Sequence, residues 1–324
     1  MKAPKRDPLL DPFGLFVKAQ ALYKRGGVPR GQSTGWHTLD PLYTVAPGQW
    51  TVVTGMPGSG KSEFLDALLV NLAEAGHWLF AVYSPENFPP ETHLAKLCEK
   101  RARKPFNEGK TPRMSAKEFA DTSLWVLDRF LWLDTELKSP ESLIEGALLY
   151  NVGDRRLGVV LDPWNTLEHQ RGGMNETDYV SFVLTEVTKL ARTANAHIWL
   201  VAHPSKIFRN RDGTRPVPTP YDISGSAHWY NKADNILCIH RAQGEESQDV
   251  EIHVQKVRFK NVGHVGLCTL KYDRVTGRYF AHEGETLMDP ITGRPEMYAD
   301  PERGMPPPVF DIEAAAERAA LAAE

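Results

Sequence analysis

The chain has 324 residues, 41% hydrophobic and 24% charged, with 38 Lys and Arg against 41 Asp and Glu. That balance belongs to a soluble globule with room for a sizeable core, and it excludes a collagenous, disulfide-scaffolded or wholly disordered chain. No apolar run approaches the roughly 20 residues that span a bilayer, so no membrane partner is expected. Cys98, Cys238 and Cys268 have neither metal spacing nor an even count, as suits a reduced, cytoplasmic protein.

In chain order, residues 1–32 read as a basic, apolar arm. Residues 1–30 hold seven basic side chains against two acidic ones, and the start lacks the apolar core and cleavage site of a signal peptide. Phe13, Leu15, Phe16, Leu22 and Tyr23 make the arm too apolar for a free tail. Trp50–Thr54 then reads as a strand, followed by a Gly-rich turn and a helix from about Lys61 to Ala75. Further strands are predicted at 79–83, 157–161, 197–202 and 236–240. Runs without polar alternation suit a parallel sheet covered on both faces, and their alternation with helical patterns suits βαβ units. From Val250 the pattern turns to alternating strands broken by Gly and Asn, which predicts an antiparallel meander. The fold class expected is therefore α/β, a mostly parallel central sheet extended by a C-terminal antiparallel meander. Residues 283–324 hold ten acidic side chains against three basic ones; 283–308 read as a Pro-containing linker and 311–324 as a marginal helix.

The chemistry concentrates after the first strand. Gly55-Met56-Pro57-Gly58-Ser59-Gly60-Lys61-Ser62 fits G-x-x-x-x-G-K-[ST] between a strand and a helix, the context this phosphate-binding loop requires. Its backbone N–H groups would cradle phosphates, Lys61 would reach the β- and γ-phosphates of ATP, and the Ser62 hydroxyl would ligate Mg²⁺. Asp162, ending the apolar run Leu157–Leu161, is the second metal-positioning candidate. Glu86, just past the strand 79–83, is placed for a general base that activates water, or for a carboxylate favoured by a helix N-terminus.

Six motifs in this order resemble the RecA-like motor domain of DnaB-type ring helicases, nearest the Twinkle and phage helicase-primase branch. They comprise the Thr34-Gly35…Leu39-Asp40…Pro47-Gly48 lead-in, the phosphate loop, Glu86, Asp162, His203 with the Gly225…Ala233-Asp234 segment, and Gln255-Lys256-Val257-Arg258-Phe259. The resemblance covers about residues 33–282. It implies a RecA-like P-loop NTPase fold with Glu86 as catalytic glutamate, Asp162 as the metal-positioning aspartate and His203 as a γ-phosphate or DNA-coupling residue. It also implies that Lys256 and Arg258 reach the neighbouring subunit's nucleotide, Arg258 as an arginine finger, and that Arg241 and Tyr272 enclose the adenine. Where the branch has a glutamine phosphate sensor, this chain has Asn231, one methylene shorter.

The segment 203–222 carries Lys206, Arg209, Arg211 and Arg215 against Asp212, and the family's DNA-binding loop occupies this place. Six such loops in a hexameric ring would line a basic, salt-sensitive channel for single-stranded DNA. The arm would dock on the adjacent subunit, and the acidic tail is a candidate site for a polymerase or other replication partner. The function implied is an ATP-dependent replicative DNA helicase, a motor without a primase domain, so that priming would come from a separate primase. The rivals are a RecA/RadA-like recombinase or KaiC-like ATPase, and a nucleotide-gated DNA-binding or loading factor that does not hydrolyse.

Overall fold

A computed structural model describes residues 11–134, 139–150, 153–167, 173–205, 216–223, 227–242, 244, 247–283 and 286–288. The described residues open with α1 (Pro12–Lys24), capped by Asp11, whose carboxylate accepts from the backbone N–H groups of Phe13 and Gly14. The body then runs β1 (Trp50–Thr54), α2 (Lys61–Ala75), β2 (Trp78–Tyr83), α3 (Pro90–Ala102), α4 (Ala116–Leu127), β3 (Phe130–Trp132), α5 (Pro140–Leu148) and β4 (Arg156–Leu161). It continues with α6 (Glu176–Ala194), β5 (His197–Val201), α7 (His228–Lys232), β6 (Asn235–His240), β7 (Asp249–Val257), β8 (Gly266–Tyr272), β9 (Tyr279–Glu283) and β10 (Thr286–Met288).

The described strands form one sheet in the order β10-β9-β8-β7-β6-β1-β5-β4-β2-β3. From β6 to β3 every pairing is parallel, and from β6 to β10 every pairing is antiparallel. The sheet thus has the mixed architecture expected from the switch in hydrophobic period near Val250. β10 corrects one reading. Thr286–Met288 lies in the segment expected to be a linker, yet it pairs with β9 through Met288↔Ala281; three residues are too few for a period to show.

Period-2 alternation divides the strand side chains between two cores. Val53, Phe80, Val82, Val160, Trp199 and Val201 face α2, α3 and α4, whereas Val52, Ala81, Val159, Leu161, Ile198 and Leu200 face α5 and α6. Strands covered on both faces explain their unbroken apolar runs. One position on β4 tolerates only glycine: a Cβ at Gly158 would come within 2.4 Å of the Phe80 ring and 2.9 Å of Trp199.

The lead-in segment is structural. Asp40 accepts from the Thr34 backbone N–H and hydroxyl, each at 2.7 Å, closing a tight loop. That loop buries Trp36, which stacks on Phe64 of α2 at 5.4 Å between ring centroids and donates its indole N–H to the Tyr279 carbonyl at 2.8 Å. The segment thereby ties the helix that starts at Lys61 to the antiparallel half of the sheet.

Candidate functional site

β1 ends at Thr54 and α2 begins at Lys61, so the phosphate loop crosses the carboxyl edge of the parallel strands, where open α/β sheets bind ligands. The loop needs its glycines. Gly55 has φ +148° and a Cβ there would lie 2.3 Å from the Ile239 carbonyl oxygen, while Gly60, at φ +92°, leads into α2 in the left-handed region. Beside the loop lies a cleft of about 590 Å³ lined by Pro57, Gly58, Gly60, Lys61, Ser62 and, from four other segments, Glu86, His203, Arg241 and Tyr272. The structure thus gathers at one sheet edge residues that are up to 215 positions apart in sequence.

Lys61 is buried, and its ammonium donates to the carbonyls of Gly55 and Met56 at 3.0 and 3.1 Å. Burial pushes its pKa down, while Asp162 and then Glu86 pull it back up. Asp162 shows the converse strain: burial raises it to about 6, against the hydrogen bond it receives from Ser62. Two buried, opposed charges of this kind suit a site completed by phosphate on the lysine side and a cation on the aspartate side. The Asp162 Oδ1 atom is buried with no hydrogen-bond partner. No group of three or more His, Cys, Asp or Glu side chains among the described residues could hold a metal by itself. Ser62 and the open Asp162 oxygen therefore fit a hard cation such as Mg²⁺ that takes its other ligands from phosphate and water. Bound there, Mg²⁺ would neutralise charge on the phosphate oxygens.

Glu86 sits on a single 3₁₀ turn, Pro85–Asn87, directly after β2, half exposed at the mouth of the cleft. Its Oε1 lies 3.8 Å from His203 Nε2, outside hydrogen-bond range but within electrostatic reach. The His203 backbone N–H is fixed by the Asn165 side chain at 2.9 Å. Desolvation and the nearby Lys61 lower the His203 pKa, with Glu86 opposing, which keeps the imidazole neutral at pH 7. On the other side of the loop Arg241 donates from Nε to the Ser59 carbonyl at 3.2 Å and lies over the Tyr272 ring, 5.2 Å from its centroid. Tyr272 in turn packs on Tyr279, whose hydroxyl donates to the Gly60 carbonyl at 3.3 Å.

Lys256 and Arg258 are elsewhere. β7 runs antiparallel to β6, and its end pairs Val257 with Asn235, at the level where β6 pairs Asn235 with Thr51 near the start of β1. These cations therefore stand at the opposite edge of the sheet from the phosphate loop. Arg258 bonds the Asp234 carboxylate at 3.1 Å through Nε, and its Nη2 donates to the carbonyls of Asn231, Lys232 and Ala233 at the end of α7. The Lys256 ammonium lies over the Tyr230 ring at 4.9 Å and donates to the Tyr230 and Asn231 carbonyls. Burial and Arg258 lower its pKa to about 8. Asn231, Lys232, Arg192 and Arg258 line a separate depression of about 320 Å³. Lys206, Arg209, Arg211 and Arg215 lie outside the described residues, as does the acidic tail beyond 288.

Sequence reasoning missed an ionic cluster in the cleft wall. Glu63, next to Ser62 on α2, bonds Lys96 at 3.0 Å and Lys100 at 2.6 Å, and Lys96 also donates to Asn87 at 2.9 Å. Nothing in α3 marks these lysines, because their partner is 33 and 37 positions away. Burial alone would raise Glu63, but Lys100 and Lys96 together hold it down to about 2. Folding therefore favours its ionised form, so the stabilisation is complete above about pH 4.5 and is lost as pH falls toward about 2. Because Lys96 is partly exposed, screening trims the effect to about 1–2 kcal/mol. Glu63→Gln should lower the unfolding free energy by that amount at pH 7 in urea titrations. It should also flatten the acid limb between pH 4.5 and 2 relative to wild type.

The chain is 41% identical over 287 residues to a Twinkle homolog protein, chloroplastic/mitochondrial, of Arabidopsis thaliana, an alignment covering 84% of this chain and 40% of that protein. A solved DnaB-like replicative helicase, described with its interactions with primase, superposes with a TM-score of 0.66 over 86% of this chain and 68% of that one, at 18% identity. A RadB recombinase crystal structure matches with a TM-score of 0.51 over 75% of this chain and 97% of that one, at 17% identity, so the RecA-like core is common ground. The model of the DnaB-like helicase C-terminal domain matches residues 31–280, and the chain belongs to that family.

Proposed function

We propose that this chain is an ATP-driven motor of replicative DNA unwinding, which forms a ring, translocates on single-stranded DNA and hydrolyses Mg-ATP between subunits. The observation that carries the reading is the division of the chemistry between two sheet edges. Lys61, Ser62, Asp162 and Glu86 share one edge, and Lys256 and Arg258 lie at the other. A sheet strand of five residues spans about 15 Å, so a finger at the far edge serves the nucleotide of a neighbouring copy and not its own. In this reading Glu86 deprotonates the attacking water, His203 senses the γ-phosphate, Lys61 and the loop hold the phosphates, and Arg241 and Tyr272 enclose the base.

The arm supports assembly. No residue of α1 is buried; Phe13 is 74% exposed, Phe16 60% and Tyr23 84%. A helix so apolar and so bare, followed by a chain tied down through Pro29 and Arg30, gains most by covering itself on a second copy. Lys206, Arg209, Arg211 and Arg215 are proposed as the contacts to single-stranded DNA. A separate primase or polymerase is the further partner. We place the activity in a reducing compartment, the cytoplasm of a bacterium or of a phage-infected cell, a reading that the free thiols Cys98, Cys238 and Cys268 support.

The test is ATP turnover with and without single-stranded DNA, beside unwinding of a forked duplex. DNA-stimulated turnover with unwinding is expected. Turnover without unwinding would favour a recombinase, and no turnover would leave a nucleotide-gated binding factor.

A further inference from the structure

One buried carboxylate near the cleft has no part in the mechanism above. Asp66 follows Ser62 by four residues on α2, so the two side chains share a helix face one turn apart. Ser62 hydrogen-bonds Asp162, which puts that face against the metal-positioning aspartate. The Asp66 side chain is 7% exposed; its Oδ1 meets His93 Nε2 at 3.0 Å, and its Oδ2 is buried without a hydrogen-bond partner. The Asp162 Oδ1 atom is unpartnered in the same way.

The partner of Asp66 is itself fixed. The Trp132 indole N–H, which can only donate, lies 3.2 Å from His93 Nδ1. His93 Nδ1 therefore accepts, and Nε2 carries the proton offered to Asp66. A lysine or arginine here would cancel the carboxylate's charge; a neutral imidazole orients it and leaves the charge in place. A buried carboxylate with one neutral donor and one empty oxygen is costly unless a cation or its waters complete it.

We propose that Asp66 is a positioning residue of the cleft, its free oxygen holding the water shell of the divalent cation carried between Ser62 and Asp162. Asp66 thereby sets the Mg²⁺ concentration at which nucleotide is held. His93 and Trp132 aim it. This rests on the nucleotide reading of the cleft given above.

The test is binding of a fluorescent ATP analogue to the full chain, titrated with Mg²⁺ and repeated in EDTA, together with melting in EDTA. Asp66→Asn keeps the acceptor for His93 and removes the charge. It should raise the Mg²⁺ needed for half-saturation by about tenfold, the low end for lost outer-shell partners. Binding in EDTA should be unchanged, and melting in EDTA unchanged or higher, since an uncompensated charge has gone. His93→Gln, which can still donate to Oδ1, should stay within about threefold of wild type in Mg²⁺ requirement. An unaltered Mg²⁺ requirement in Asp66→Asn would overturn the proposal, and so would a lowered melting temperature in EDTA, which would make the carboxylate structural. A wild-type chain that binds no nucleotide under any condition would instead remove the nucleotide reading itself.

Discussion

Glu86→Gln should leave Mg-ATP bound and lower ATP turnover by about 10²–10⁴-fold, the usual contribution of a positioned general base. The glutamate is well placed to show so clean an effect. It stands at the mouth of the cleft on a three-residue turn, and among the described residues its carboxylate approaches His203 only at 3.8 Å, beyond hydrogen-bond range. The amide has the same shape but cannot take the proton of an attacking water. His203 offers no substitute: its imidazole is 3.8 Å from Glu86, and among the described residues its Nδ1 has no hydrogen-bond partner that could relay the proton onward. Binding of a fluorescent ATP analogue, compared with steady-state phosphate release, separates the two effects. If turnover stays within threefold of wild type, Glu86 is only a carboxylate favoured by the adjoining helical turn.

The second large effect is expected at the far edge of the sheet. Arg258→Ala should lower multiple-turnover hydrolysis by about 10³-fold while each subunit still binds nucleotide, as loss of an arginine finger does elsewhere. Mixing makes the test specific. In assemblies doped with increasing fractions of Arg258→Ala subunits carrying intact clefts, a finger acting in trans predicts that a Glu86→Gln, Arg258-intact chain restores activity to an Arg258→Ala chain. The finger comes from one and the base from the other. A finger acting within its own subunit predicts no such rescue. A finger role would also have a structural cost. Arg258 is held by the Asp234 carboxylate and three carbonyls at the end of α7, so reaching a neighbour's phosphate requires it to leave those partners.

The parts of the fold that sequence disclosed are those whose signal is local. β1, the phosphate loop and α2 announce themselves through an apolar run, fixed glycines and a Lys-Ser pair. The meander announces itself through a change of period. What stayed hidden depends on distance. β3 is three residues long and counts as a strand only because Phe130 pairs with Phe80. α3 carries Lys96 and Lys100 for the sake of Glu63, and His93 for the sake of Asp66, relations that no spacing along α3 reveals. The site divides in the same way. Its loop and its two carboxylates, Glu86 and Asp162, follow from motif and strand ends, and Arg241 and Tyr272 line the same cleft as the loop. Sequence could pair Lys256 with Arg258 by proximity but could not say which edge they occupy; that follows only from the antiparallel register of β7 on β6.

If Arg258 completes the cleft of a neighbouring copy, the placement of the two on opposite edges also constrains counting. A subunit that works this way has a front and a back, and its joints to other copies would be head to tail, not two like faces together. A dimer closed by a twofold axis would pair cleft with cleft and leave every site short of its cation. In an open chain of copies the last cleft faces solvent, so complete sites number one fewer than subunits. In the proposed assembly, closing the circle, or winding into a spiral whose ends meet across a strand of DNA, would decide whether that last site works. A gap in such a ring would be a built-in pause, moving as the open joint moves.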